Sequence, residues 1–94
     1  MTGTNLSSTN LNTKQRQILY RAWHRGTREM DLVLGRFVDQ FLVHFSDEEI
    51  TEIEHLLNAP DDLLLYWLMG HEPFPEEYNS SITKKLCTFY KTIA

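Results

Sequence analysis

Eight large apolar residues, Met30, Val33, Leu34, Phe37, Val38, Phe41, Leu42 and Phe45, recur at three- and four-residue steps. A strand turns its side chains over every second residue and cannot use that spacing, whereas one face of a helix can. The stripe predicts a long helix over about 27–44 that lies at the centre of the core. Gly35 falls within it and costs about 1 kcal/mol relative to alanine. Close packing against another helix is the expected reason for a glycine there. A chain of 94 residues makes one domain, and a 41% hydrophobic content is enough for one modest core.

The rest of the chain fits helices around that stripe. Ile18, Leu19, Ala22 and Trp23 mark one face of a first helix over about 14–24, with Thr13 as its expected N-cap. Ser46-Asp47-Glu48-Glu49 reads as a capping box that opens a third helix over about 47–57. Pro60-Asp61-Asp62 opens a fourth over about 60–69, and Gly70 ends it. That fourth segment is apolar almost all round, so its inner face is core and the surplus needs a cover. His71 to Tyr78 reads as a loop, and Ser80 or Ser81 caps a last helix over about 81–92. The expected fold is all-α, a compact five-helix bundle. Residues 1–12, rich in Thr, Ser and Asn, are expected to form a flexible tail before a single helical domain at 13–94.

Charge is segregated along the chain. Residues 1–36 carry six basic and two acidic side chains, residues 37–78 eleven acidic and no Lys or Arg, and residues 79–94 three lysines. The total is −4. An acidic total argues against non-specific nucleic-acid binding, which needs Lys and Arg to displace counterions from phosphates. No phosphate-cradling glycine loop is present, and the four histidines lack the i, i+4 pairing of a helical metal site. Cys87 is the sole cysteine, which excludes an internal disulfide and reads as an inert thiol in the last helix. No apolar run is long enough to span a membrane. The first thirteen residues lack Lys, Arg and an apolar segment. They therefore read as neither secretory signal nor transit peptide, and a cytoplasmic location is expected. Without a nucleophile, base or cofactor motif, no catalysis and no metal or tightly bound cofactor are expected.

One stretch concentrates chemistry. Arg25-Gly26-Thr27-Arg28-Glu29-Met30-Asp31 sets four charges around a glycine between the first two helices. Structure accounts for much of it. Gly26 suits a left-handed helix end, Thr27 an N-cap, and Glu29 and Asp31 a first turn where the helix dipole favours anions. Arg28 is out of place there, because the same dipole repels cations. Such a corner can turn Arg25 and Glu29 outward with the backbone bare at Gly26.

These residues resemble the Arg-Gly-x-x-Glu motif of the succinate dehydrogenase flavinylation factor family of bacteria and mitochondria. The similarity runs over roughly 14–93. It continues through Leu32-Val33-Leu34-Gly35-Arg36-Phe37, Phe45-Ser46-Asp47-Glu48-Glu49, Leu56-Leu57-Asn58-Ala59-Pro60-Asp61 and Tyr66-Trp67-Leu68-Met69-Gly70. The resemblance implies a small bacterial assembly chaperone. It would bind the flavoprotein subunit of succinate dehydrogenase, or of fumarate reductase, and promote covalent attachment of FAD to a histidine of that subunit. FAD is then the client's cofactor. The factor itself is expected to be a monomer when free, with no nucleic-acid partner and no membrane insertion. Arg25, Gly26 and Glu29 carry the motif and are expected at the contact, with Arg28 beside them. The surplus apolar surface around Trp67 and Met69 is expected either to extend that contact or to serve the core. An antitoxin-like or generic helical interaction module is the competing reading.

Overall fold

The computed structural model describes residues 11–93. Five α-helices follow in order: α1 (Thr13–Trp23), α2 (Arg28–Phe41), α3 (Asp47–Leu56), α4 (Asp61–Leu68) and α5 (Ser81–Ile93). Short 3-10 turns at Leu42–His44 and Glu76–Tyr78 complete the secondary structure. No strand occurs among the described residues. The fold is all-α, as the periodicity requires. The chain divides into two compact units, one ending at Ser46 and the other beginning at Asp47.

The first unit is built from α1 and α2, which pack on one another. Its helix α1 begins one residue earlier than expected, and Asn12 rather than Thr13 is the N-cap. The Asn12 side chain accepts the Gln15 N–H at 2.8 Å, and the Gln15 side chain accepts the Asn12 N–H at 2.9 Å. This reciprocal box satisfies two backbone donors that the helix start would leave unpaired. Leu11, placed in the tail by composition, is 5% exposed. The expected flexible tail otherwise falls on residues 1–10, outside the described residues.

The apolar stripe of α2 is buried as its spacing demands: Met30, Val33, Leu34, Phe37, Val38 and Leu42 are all inside. Phe37 is flanked by Phe41 at 5.3 Å and Phe45 at 5.9 Å between ring centroids. The α-helix closes at Phe41, three residues short of expectation, because the chain tightens into the 3-10 turn at Leu42–His44. Tightening of the last turn is a common way for a helix to end. Gly35 faces the indole of Trp23. A Cβ there would sit 2.6 Å from Cε3 and 2.7 Å from Cε2 of the ring. The glycine exists to admit that ring.

The second unit rests on α3 against α5. Ser80 caps α5, its Oγ accepting the Thr83 N–H at 3.3 Å. Glu52 of α3 then clamps the same end: its Oε1 accepts the Ser81 hydroxyl at 2.7 Å and the Ile82 N–H at 3.2 Å. An ion pair between Glu49 and Lys85 joins the two helices one turn earlier in α3 and one turn later in α5. Pro60 precedes α4 as its N-cap rather than its first residue, and Asp61 and Asp62 fill the first turn. The segment after α4 is more than a loop. Phe74 and Tyr78 pack on the Trp67 ring at 5.5 and 5.7 Å, and Tyr78 also stacks with His55 at 4.9 Å. No helix is long and apolar enough to cross a membrane among the described residues.

Candidate functional site

Four residues join α1 to α2, and each has an assigned backbone role. His24 leaves the helix at φ −128°, ψ 58°, its N–H still reaching the Arg21 carbonyl at 3.4 Å. Gly26 takes φ 108°, a conformation that other residues adopt only with strain. Thr27 returns to extended backbone as the N-cap of α2, and its Oγ1 accepts the Met30 N–H at 3.3 Å. The Asp31 carboxylate reaches back across the corner and accepts the Arg25 N–H at 2.5 Å. A charged acceptor makes this a stronger bond than a neutral one. Asp31 therefore belongs to the framework of the corner, which it closes into a ring of six residues' separation.

The charged side chains exposed at the corner are those of Arg28 and Glu29, beside the exposed Thr27 and the exposed backbone of Gly26. Arg25 is half-buried and engaged within the fold. The corner thus offers a bare backbone at Gly26, an anion at Glu29 and a cation at Arg28, with Arg25 held at its edge. Such a surface can receive a peptide backbone closely and pair with charges of either sign. It holds no nucleophile.

Trp67 and Met69 lie in the second unit and have opposite roles. Trp67 is 9% exposed and serves the aromatic cluster with Phe74 and Tyr78, whereas Met69 is 55% exposed. Leu63 and Tyr66 share with Met69 the exposed side of α4, and Tyr66 stacks on His71 at 4.8 Å. Burial pushes the Cys87 thiol above its usual range, partly offset by the cation of Lys91. A protonated, half-buried thiol is a poor nucleophile. No group of three or more His, Cys, Asp or Glu side chains is placed to hold a metal among the described residues.

Comparison with known proteins decides the family. The model of the family described as flavinator of succinate dehydrogenase matches residues 16–90. The chain belongs to this family. The FAD assembly factor SdhE of Acetobacter pasteurianus is 38% identical over 77 residues, covering 82% of this chain and 71% of that one. The mitochondrial succinate dehydrogenase assembly factor 2-A of Drosophila persimilis is 37% identical over 78 residues, covering 81% of this chain and 49% of its own length. The mitochondrial succinate dehydrogenase assembly factor 2 of Debaryomyces hansenii is 34% identical over 79 residues, covering 81% and 56%. The chain spans about half the length of these mitochondrial relatives. The matched span of the flavinator family contains the whole corner, together with Trp67 and Met69.

Tyr20 and His24 carried no signal in the apolar pattern. Tyr20 is 65% exposed, and its ring stacks on that of His24. Their i, i+4 spacing on α1 was the only sequence cue to that contact.

Proposed function

We propose that this chain is an assembly factor that binds the flavoprotein subunit of succinate dehydrogenase and promotes its covalent flavinylation. Membership of the flavinator family and the names of its relatives support this reading. The observation that carries the site is Gly26 at φ 108°, exposed and braced by the Asp31–Arg25 bond. A corner held this rigidly presents its groups in one geometry, which lowers the entropy lost on binding. Gly26 permits close approach of the client, Arg25 offers a planar fork of donors, Glu29 orients or pairs with it, and Arg28 adds a second cation. Met69 offers the client a separate exposed apolar contact on the second unit, while Trp67 acts from within by supporting the segment around it.

In this reading the factor shapes and holds its client, and the attachment chemistry belongs to the flavoprotein and its FAD. The chain is then no enzyme and needs no tightly held cofactor of its own. Residues 13–94 work together as the assembly-factor domain, in the bacterial cytoplasm where the client acquires its flavin. Fumarate reductase's flavoprotein is a second client of the same chemistry. The test is complex formation between the purified proteins. Size-exclusion chromatography with light scattering is expected to give a 1:1 complex with the flavoprotein subunit. Arg25→Ala is expected to weaken it by about 2 kcal/mol, roughly thirtyfold, with an unchanged helical circular dichroism spectrum. Full-strength binding by a folded Arg25→Ala variant would remove the corner from the contact.

A further inference from the structure

The outward side of α1 has a composition that neither the core nor the corner explains. Its exposed residues include Lys14, Arg16, Gln17, Tyr20 and His24. The Tyr20 and His24 rings stack with centroids 3.9 Å apart and planes 17° from parallel. The Nδ1 of His24 lies 2.7 Å from the Tyr20 carbonyl oxygen, which pins the imidazole in place. Thr13, Arg16, Gln17, Tyr20 and Arg21 line a shallow, open concavity of about 360 Å³. From Leu11 to Arg28 the chain carries five basic side chains and no acidic one, although its total charge is −4.

We propose that this face docks an acidic segment of the flavoprotein client and carries the contact beyond the corner along α1. The inference rests on the reading given under Proposed function. Cationic side chains with a fixed aromatic platform suit carboxylates on a chain that also needs an apolar seat. The Arg16 guanidinium donates to the Leu11 carbonyl at 3.0 Å and to Thr13 Oγ1 at 3.4 Å, so it is held at the start of α1 and attracts a carboxylate by its fixed positive charge. An exposed, pre-stacked tyrosine is the type of anchor that dominates interface energies at little entropic cost. His24 directly precedes Arg25, so the end of this face adjoins the start of the corner. A protein segment fits better than a nucleic acid. Discrete carboxylates can be met by one local patch, whereas the continuous charge of a duplex is repelled by a chain of net −4.

Gln17 gives the sharpest test, because it sits among these residues and can be changed to either charge. Association and dissociation of the full-length chain with immobilised flavoprotein subunit would be followed at low and near-physiological salt. Tyr20→Ala is expected to weaken the complex about tenfold, mostly through faster dissociation. Gln17→Glu is expected to slow association about three-fold and Gln17→Lys to quicken it by a similar factor, both effects shrinking with salt. Thermal melts matching the wild type establish that each variant is folded. If Tyr20→Ala unfolds, the two Gln17 variants decide, since a purely structural role would not respond with opposite signs. Wild-type rates for all three, alongside weakened Arg25→Ala, would overturn the α1 face and leave the corner standing. A wild-type chain that fails to bind the flavoprotein would overturn the proposed function and this inference together. A duplex DNA probe bound more tightly than the flavoprotein, and lost with Gln17→Glu, would overturn the class of partner.

Discussion

At the scale of single residues, Asp31 has the most consequence for its size. Its carboxylate holds the Arg25 N–H at 2.5 Å and so fixes where the corner begins. Asp31→Ala leaves that donor without its partner, and the expected cost is about 1–2 kcal/mol. In a domain this small each kcal/mol is worth about 4–8 °C in melting temperature. Calorimetry should show that drop, and binding of the flavoprotein should weaken although Arg25, Gly26 and Glu29 are untouched. Gly35→Ala makes a contrasting case. Helix propensity favours alanine by about 1 kcal/mol, but the new methyl would strike the buried Trp23 ring. Overpacking costs about 1–3 kcal/mol, so a net loss of melting temperature is expected, and a gain would show that the ring can move aside. Gly35's role could be read from the sequence, since a glycine inside a strong apolar stripe asks for a close neighbour. The Asp31–Arg25 bond could not. It reaches across the turn made by Gly26, and a separation of six positions matches no local spacing rule.

At the scale of elements, helix positions followed the apolar periodicity closely, and the differences lie where backbone bonding or long-range packing decides. α1 is capped by Asn12 and starts at Thr13 because the box partner Gln15 lies three residues on from Asn12, a pairing hidden behind the more obvious Thr13. α2 ends early because Leu42–His44 tightens, although the apolar stripe continues unbroken to Phe45. Residues 71–78 looked like a bare loop from Pro73 and Pro75, yet Phe74 and Tyr78 make it part of the packing around Trp67. Which apolar residues of α4 face outward was equally closed to sequence, since an all-round apolar helix has no polar face to mark the outside. The anchoring of α5 is the clearest long-range device. Glu52 accepts from both the Ser81 hydroxyl and the Ile82 N–H. Glu52→Ala is expected to cost about 1 kcal/mol and to raise hydrogen exchange at the start of α5 before other helices. Unchanged exchange at Ile82 would mean that the Ser80 cap suffices.

At the scale of the whole molecule, charge and site follow different logics. The segregation of charge, basic through residue 36 and acidic from 37 to 78, was plain in the sequence. It bears on which partners the chain attracts and how fast, and not on its fold. The corner was visible as a cluster of charge around a glycine, but every residue type in it also suits a capped helix junction. Resemblance to a family, and then membership of it, is what turned the cluster into a candidate contact surface. The α1 face stayed hidden because exposed Tyr20 breaks no rule of helical patterning. Promotion of covalent FAD attachment to the client is the activity from which the role of the corner follows. Flavin fluorescence of the flavoprotein subunit in a denaturing gel measures it directly, in cells with the gene, without it, and complemented by Gly26→Arg. The fluorescent band is expected to fall several-fold on deletion, to return with the wild-type gene and to stay low with a folded Gly26→Arg variant. Equal fluorescence with and without the gene, at equal amounts of flavoprotein, would contradict this activity.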